Sequence, residues 1–336
     1  MIAPATDGAG SPAGRTAARA SGRRRVVFMY SGQGAQYFQM GRALFDGDPV
    51  YRDALFRAER MCGPIDGRTV SEILFSRPLA DSESFDRLAE THPVLLSVAW
   101  ALTEALAARD VRPDVVLGYS LGETIAAVVT GALSLDQAFW ALRAQAALYE
   151  RSAPPGRLVA VLDHPELLDD APEWNGRAHL AAINGPGHVV VALAEADLPV
   201  FLGWLRAHER VNFGLPVRFG FHSPLVEVVK QGFLDIAGQL GFGRPQLPMI
   251  SCALAEPVER LDAAHFWAVN RGVVRFAEAV RSLAADPTAV LVDVGPSGTL
   301  AGFIRLAGGS RATALPVMNQ FGRDMQTLEQ VVEYIR

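Results

Sequence analysis

Apolar positions in this chain fall into short blocks whose period changes from element to element. "VVFMY" (26–30) is a continuous β-branched and aromatic run that ends in the glycine-rich "SGQGAQ", the pattern of a buried strand entering a turn. Residues 38–62 carry helical spacing, and a polar, loop-rich stretch follows to about residue 90. "THPVLLSVAWALTEALAARD" predicts a long apolar helix that opens near Pro93 with Thr91 as its cap. "PDVVLG" is almost wholly apolar, as a strand covered on both faces must be. Strands and helices alternating in this way predict α/β layers around a parallel sheet.

After residue 155 the texture changes. "GRLVAVL", "AHLAAING", "HVVVALA" and "VNFGLPVRFGF" are four short strand candidates, with helical segments near 164–171 and 196–209. The order β-α-β-β-α-β is the ferredoxin-like pattern, here an inserted subdomain over 155–221. Beyond it come a helix, the strand "PMIS", a helix, the strand "AVLVDVG" and a final helix after Asp324. The larger layer is therefore expected to comprise 26–154 and 222–336.

Composition narrows the class. The chain has 336 residues, long enough for one large domain carrying an insertion. Hydrophobic residues make up 50% and charged residues 20%, the balance of a soluble globular protein. No apolar run reaches the ~18 residues of a membrane span. The formal charge of −5 argues against general nucleic-acid binding. Cys62 and Cys252 stand far apart in apolar surroundings, which suggests neither zinc nor a disulfide framework and fits a reducing cytoplasm. Residues 1–25 are rich in Ala, Gly, Ser and Arg without aromatics, so a disordered tail is expected there. Its basic end precedes too short an apolar run for a secretory signal.

The candidate chemistry lies at "VLGYSLGETIAA". A strand, then G-x-S-x-G, then a helix is the arrangement of a nucleophile elbow. Gly118 and Gly122 give the tight turn room, and Ser120 is left at the carboxyl end of the sheet beside a helix N-terminus. The amide of Leu121 can then stabilise an oxyanion as it forms. A serine of ordinary pKa needs a base. Of seven histidines, His222 in "GFHSPL" is the best placed, where an apolar strand runs into a Ser-Pro stop near the junction of the two subdomains. His164, His179, His188 and His208 sit in polar stretches and read as surface residues, and His265 reads as structural. No metal or nucleotide motif is visible; "GQGAQ" lacks the Lys-Ser/Thr of a phosphate loop.

Six stretches extend this picture in order: "YSGQGAQYFQMGRALFD", "THPVLL", "GYSLGETIAAVVTGALSL", "INGPGHVVV", "GFHSPL" and "VDVGPSGTL". Together, over residues 26–334, they resemble the malonyl-CoA:acyl carrier protein transacylase family, which includes the acyltransferases of polyketide synthases. The resemblance implies an α/β-hydrolase-like core with a parallel sheet plus an inserted ferredoxin-like subdomain. It also implies a Ser-His dyad that works through an acyl-serine ester. Ser120 matches the family nucleophile and His222 the family histidine. Gln33 matches the residue whose backbone N–H joins that of Leu121 in the oxyanion hole. In this family backbone carbonyls largely orient the histidine; where relatives often add an Asn, the run "VNRGVVRF" has Val269.

One departure bears on the substrate. Malonyl-transferring members hold the free carboxylate with an arginine, a bidentate and charge-assisted pair. The gap-free register places Gln145 at that position. The helix that carries it starts at Ser134, with Gln137 completing a capping box. Gln145 and Arg143 border its apolar stripe on opposite sides, so the helical wheel alone does not choose between them; the register does. An amide cannot compensate a buried carboxylate, and loss of such a cation costs about 3–5 kcal/mol. Uncharged acyl groups are therefore expected in place of malonyl or methylmalonyl.

The change is similar to that in the trans-acting acyl hydrolases of polyketide pathways, which clear stalled acyl groups from acyl carrier proteins. No cofactor is expected beyond the carrier's own phosphopantetheine, and no nucleic acid or membrane partner. The alternatives are transfer of an uncharged acyl or aminoacyl group between carriers, malonyl transfer with Arg143 swinging in, and a non-catalytic docking role. Arg271, Arg275 and Arg281 are candidates for a basic carrier-docking patch. His92 stands where relatives often have Gln and is a candidate for lining the site. Asn184, in "INGP", turns the chain near the pocket, as a structural residue or in contact with substrate.

Overall fold

The short apolar runs become two sheets. The strands are β1 (Arg25–Tyr30), β2 (Val115–Gly118), β3 (Gly156–Val161), β4 (Ala178–Gly185) and β5 (His188–Ala194), then β6 (Asn212–Gly214), β7 (Met249–Ser251), β8 (Glu256–Pro257), β9 (Ala289–Asp293) and β10 (Thr313–Pro316). One sheet has the order β10-β9-β1-β2-β7-β8; its first five strands run parallel and β8 is antiparallel to β7. β1, β2 and β9 are buried almost end to end, which explains their continuous apolar character. The computed structural model describes residues 24–78 and 84–336.

The second sheet has the order β4-β5-β3-β6 with every pair antiparallel. The protein is thus an α/β-hydrolase-like core with a ferredoxin-like subdomain. The small sheet packs its own core, in which Val159, Val191 and Leu193 meet Trp174, Phe201 and Leu205. Of its two expected helices, the second is Leu198–Ala207. The first is reduced to two 3₁₀ turns, Pro165–Leu168 and Pro172–Trp174; Pro172 has no N–H to continue a ladder from the first turn into the second.

Four expectations change. Arg24 and Arg25 do not belong to a tail, whose remainder lies outside the described residues. The Arg24 guanidinium sits 4.1 Å from the centroid of the Tyr334 ring, and Arg25 opens β1 with Asp286 at 3.8 Å. The helical stretch at 38–62 divides into Arg42–Gly47 and Pro49–Cys62. Asp48 caps the second, accepting from the N–H groups of Val50 and Tyr51 ahead of Pro49. The long apolar helix runs Leu88–Ala107, so Pro93 lies inside it and Thr91 is buried in its first turns rather than capping it. The strand expected over "VNFGLPVRFGF" pairs only at Asn212–Gly214, with one further bridge between Pro155 and Phe219; the proline within it limits the ladder. The helix Thr299–Ala307 and the strand β10 were not expected at all.

Candidate active site

Parallel neighbours end at the same edge of a sheet, so the turns after β1 and β2 meet. Ser120 sits in the second turn with φ of 56°, the left-handed region, a conformation that costs about 1–3 kcal/mol and needs a tightly determined setting. The neighbours supply it. A Cβ on Gly118 would lie 2.5 Å from the Glu123 Cα, and one on Gly122 would lie 1.9 Å from the Tyr30 carbonyl oxygen. Gly32 is equally constrained: its Cβ would fall 2.8 Å from the Tyr119 carbonyl oxygen. That contact presses the Gln33 turn against the elbow. The N–H groups of Gln33 and Leu121 have no acceptor among the described residues.

His222 stands where the chain leaves the small subdomain, just past the bridge between Pro155 and Phe219. Its own backbone is left-handed (φ 61°), and its N–H donates to the Asn270 carbonyl at 3.0 Å. Nδ1 lies 3.0 Å from the Gly272 carbonyl oxygen, and Nε2 lies 2.8 Å from Ser120 Oγ. A carbonyl only accepts, so Nδ1 carries the proton and Nε2 offers its lone pair to the serine hydroxyl. Burial pushes the imidazole down to about 4, opposed by the carbonyls of Gly272 and Val269. The ring is therefore neutral at pH 7 and can take the serine proton as the oxygen attacks. Val269 contributes through its backbone, so the missing Asn side chain does not leave the histidine unheld.

The two side chains open onto a cavity of about 70 Å³. Its walls include Leu142, Leu158, Val217, Phe221, Phe233 and Phe266, and its polar groups include Gln33, His92 and Gln145. No arginine or lysine is among the described residues that line it. Gln145 projects from the helix Leu135–Ser152, whose cap Ser134 accepts from the Gln137 N–H; the Gln137 side chain meets the Ser134 hydroxyl rather than its N–H. Arg143 is exposed on the same helix, and its Nη1 donates to the Cys62 carbonyl at 2.6 Å.

Histidine 92 joins the site. It is buried, burial pushes it down to about 4, and its Nδ1 has no hydrogen-bond partner among the described residues. The Gln33 amide donates to Thr91 Oγ1 at 3.3 Å, while its Oε1 is unpartnered. Asn184 does not line this cavity. It is buried beyond Tyr119, whose hydroxyl donates to its Oδ1 at 2.9 Å, and its Nδ2 lies 3.1 Å from His188 Nδ1. His188 is consequently buried, against Phe303, and is not the surface residue its polar stretch suggested.

Sequence reasoning missed the support behind the elbow. Glu123 is fully buried in the first turn of the helix Gly122–Val129. Its Oε1 accepts from Ser251 Oγ (2.8 Å) and the Ala253 N–H (3.1 Å), and Oε2 lies 3.0 Å from His265 Nε2. Of the candidate docking arginines, Arg271 pairs with Glu227 and Arg275 with Glu278; Arg281 makes no ion pair among the described residues. Nor do the described residues gather three His, Cys, Asp or Glu side chains as a metal site would need.

An α/β-hydrolase-like core with a ferredoxin-like sheet beside its serine turn is the architecture of acyltransferase enzymes. The chain belongs to the acyl transferase domain family, which it matches over residues 27–335. It is 31% identical over 313 residues to the polyketide biosynthesis acyltransferase homolog PksD of Bacillus subtilis, covering 93% of this chain and 96% of that protein. The homolog BaeD of Bacillus velezensis is 33% identical over 312 residues, covering 92% and 96%. Among solved structures, the acyltransferase domain from the second module of the salinomycin polyketide synthase superposes with a TM-score of 0.81 at 31% identity, covering 94% of this chain and 74% of that one. A loading acyltransferase from the avermectin modular polyketide synthase gives 0.82 at 27% identity, covering 91% and 99%. No helix is long and apolar enough to cross a membrane among the described residues.

Proposed function

We propose that this protein removes uncharged acyl groups from acyl carrier protein thioesters by hydrolysis, as a proofreading step of polyketide biosynthesis in the cytoplasm. Ser120 Oγ attacks the thioester carbonyl and passes its proton to His222 Nε2. The N–H groups of Gln33 and Leu121 face the oxyanion. The carbon–sulfur bond breaks, and the phosphopantetheine thiolate takes the proton from His222. Water then attacks the acyl-Ser120 ester and gives a proton to His222, which returns it to Oγ as the acid leaves.

The observation that carries this reading is the neutral lining of the cavity. Gln145 faces it, and Arg143 is turned away onto the Cys62 carbonyl. A carboxylated acyl group buried there would lack a cation, at a cost of about 3–5 kcal/mol. A cavity of about 70 Å³ also suits an acyl group of only a few carbons. Names of relatives such as PksD and BaeD support a place in polyketide assembly. They also favour a second reading, transfer of the same neutral acyl group to another carrier.

The test incubates the protein with carriers loaded with acetyl, butyryl or malonyl groups, together with a second, empty carrier. The expected result is free acetate and butyrate with little malonate. Label on the second carrier favours transfer instead, and rapid malonyl turnover would overturn the selectivity.

A further inference from the structure

Around the dyad, the cavity holds three side chains whose hydrogen-bonding capacity is unused. Thr124 lies in the first turn of the helix Gly122–Val129, just past Ser120. Asn270 is tied to the other half of the dyad. Its carbonyl accepts the His222 N–H at 3.0 Å, and its Oδ1 accepts the Tyr149 hydroxyl. Gln145 precedes Tyr149 by one turn of the helix Leu135–Ser152, so the two share the helix face that Asn270 meets. All three side chains line the cavity together with Ser120 and His222.

None of the three is sealed off. Each residue is half-buried, and Thr124 Oγ1, both amide atoms of Gln145 and Asn270 Nδ2 lack a hydrogen-bond partner among the described residues. These groups are neutral, and between them they offer donors and acceptors. Much of the remaining wall is apolar, with Leu142, Val217, Phe221 and Phe233. A plain alkyl chain filling this space would drive water from the three side chains and return no hydrogen bond. A carboxylate would accept from them and still lack a countercharge. A hydroxyl or keto oxygen meets them without either cost. Carbon 3 of the acyl group is the first that can present it, since an oxygen on carbon 2 stays beside the oxyanion and its N–H groups.

We propose that the cavity selects short acyl groups that carry a hydroxyl or keto oxygen on carbon 3, and that Gln145 reads this oxygen. The inference deepens the function proposed above and rests on its neutral-acyl, acyl-serine route. The Gln145 amide donates to a keto oxygen, and toward a hydroxyl it can also accept. Thr124 and Asn270 supply further partners from the Ser120 side and the His222 side. A site built in this way discriminates against the analogue that lacks the oxygen, because its own polar groups are then left unpaired.

The test loads one carrier protein with butyryl, racemic 3-hydroxybutyryl, 3-oxobutyryl or malonyl groups. Pairs of these compete for the native protein, Gln145→Leu and Thr124→Val, and intact-mass spectrometry reads which acyl-Ser120 ester forms and what becomes of it. The carrier and its arm are common to every substrate and each ratio is internal to one sample, so docking and partial unfolding cancel. The native protein should take 3-hydroxybutyryl and 3-oxobutyryl over butyryl by about tenfold, the value of one net hydrogen bond. Gln145→Leu should remove that preference, raising butyryl as the oxygenated groups fall. Thr124→Val should reduce it by less. A native ratio near one, or the same ratio in the native protein and Gln145→Leu, overturns the inference. Acyl groups that leave Ser120 only to thiol overturn hydrolysis, and malonyl taken as fast as butyryl overturns the neutral-cavity reading; neither result depends on the ratio between 3-hydroxybutyryl and butyryl.

Discussion

Glu123 stands behind the Ser120 turn, and Gln145 faces the cavity in front of it. The two positions treat a carboxyl group in opposite ways. Behind the turn, the Glu123 carboxyl is fully buried and both oxygens are met by partners from Ser251, Ala253 and His265. In front, an acyl carboxylate would find a neutral amide and apolar walls. Burying an ionised group is tolerable only where several donors or a countercharge replace water. Under the function proposed above, selectivity needs no steric block: the same few ångströms of protein accept a carboxyl where donors converge and would reject one where they do not.

The substitution Gln145→Arg attacks this difference most directly. Placing a guanidinium in the cavity should move the malonyl-over-acetyl preference in kcat/KM by about 3 kcal/mol, roughly a hundredfold. Competition between the two loaded carriers measures it. Unchanged preference would mean that something other than charge sets the substrate.

A smaller effect is expected from emptying the other side. Glu123→Ala strands the Ser251 hydroxyl, the Ala253 N–H and His265 in a fully buried place, which should lower stability by about 2–3 kcal/mol. Glu123→Gln keeps an acceptor for Ser251 and should lose less. Denaturant titration reads both, and equal stability of all three proteins would show that the network behind the elbow carries no load.

What the chain discloses before folding follows the same division. Ser120 was legible because its requirements are local: a strand, a turn too tight for side chains at Gly118 and Gly122, and a helix start. Gln145 was legible through register, since only two helix positions could face the cavity. The Glu123–His265 contact joins residues 142 apart with no shared motif. The carbonyls that steer His222 belong to Gly272 and Val269, and a carbonyl is present whatever the side chain. For Asn184 the sequence left two readings open, because "INGP" turns the chain near the cleft; Tyr119 takes its side chain before it reaches the cavity, the structural one of the two.

Proton binding gives the finest test. Burial pushes both His92 and His222 from the ordinary 6.5 to about 4. With His222 as the base proposed above, acylation needs the ring neutral, so its acid limb should fall near pH 4 rather than 6.5. For stability, the unfolded chain binds more protons at these two sites between pH 6.5 and 4, so their contribution is lost as the pH falls through that window. Asp293 and Asp324 act in the opposite sense. Burial raises both from 3.8 to about 6, so the folded state binds more protons between pH 6 and 3.8 and gains stability as the pH falls. The two pairs offset one another, and removing one histidine uncovers the imbalance. His92→Gln should therefore gain stability relative to the native protein on going from pH 7 to pH 5, by about 1–2 kcal/mol. Parallel melts at the two pH values measure it; an equal difference at both would mean that His92 is no more buried than the solvent-facing histidines.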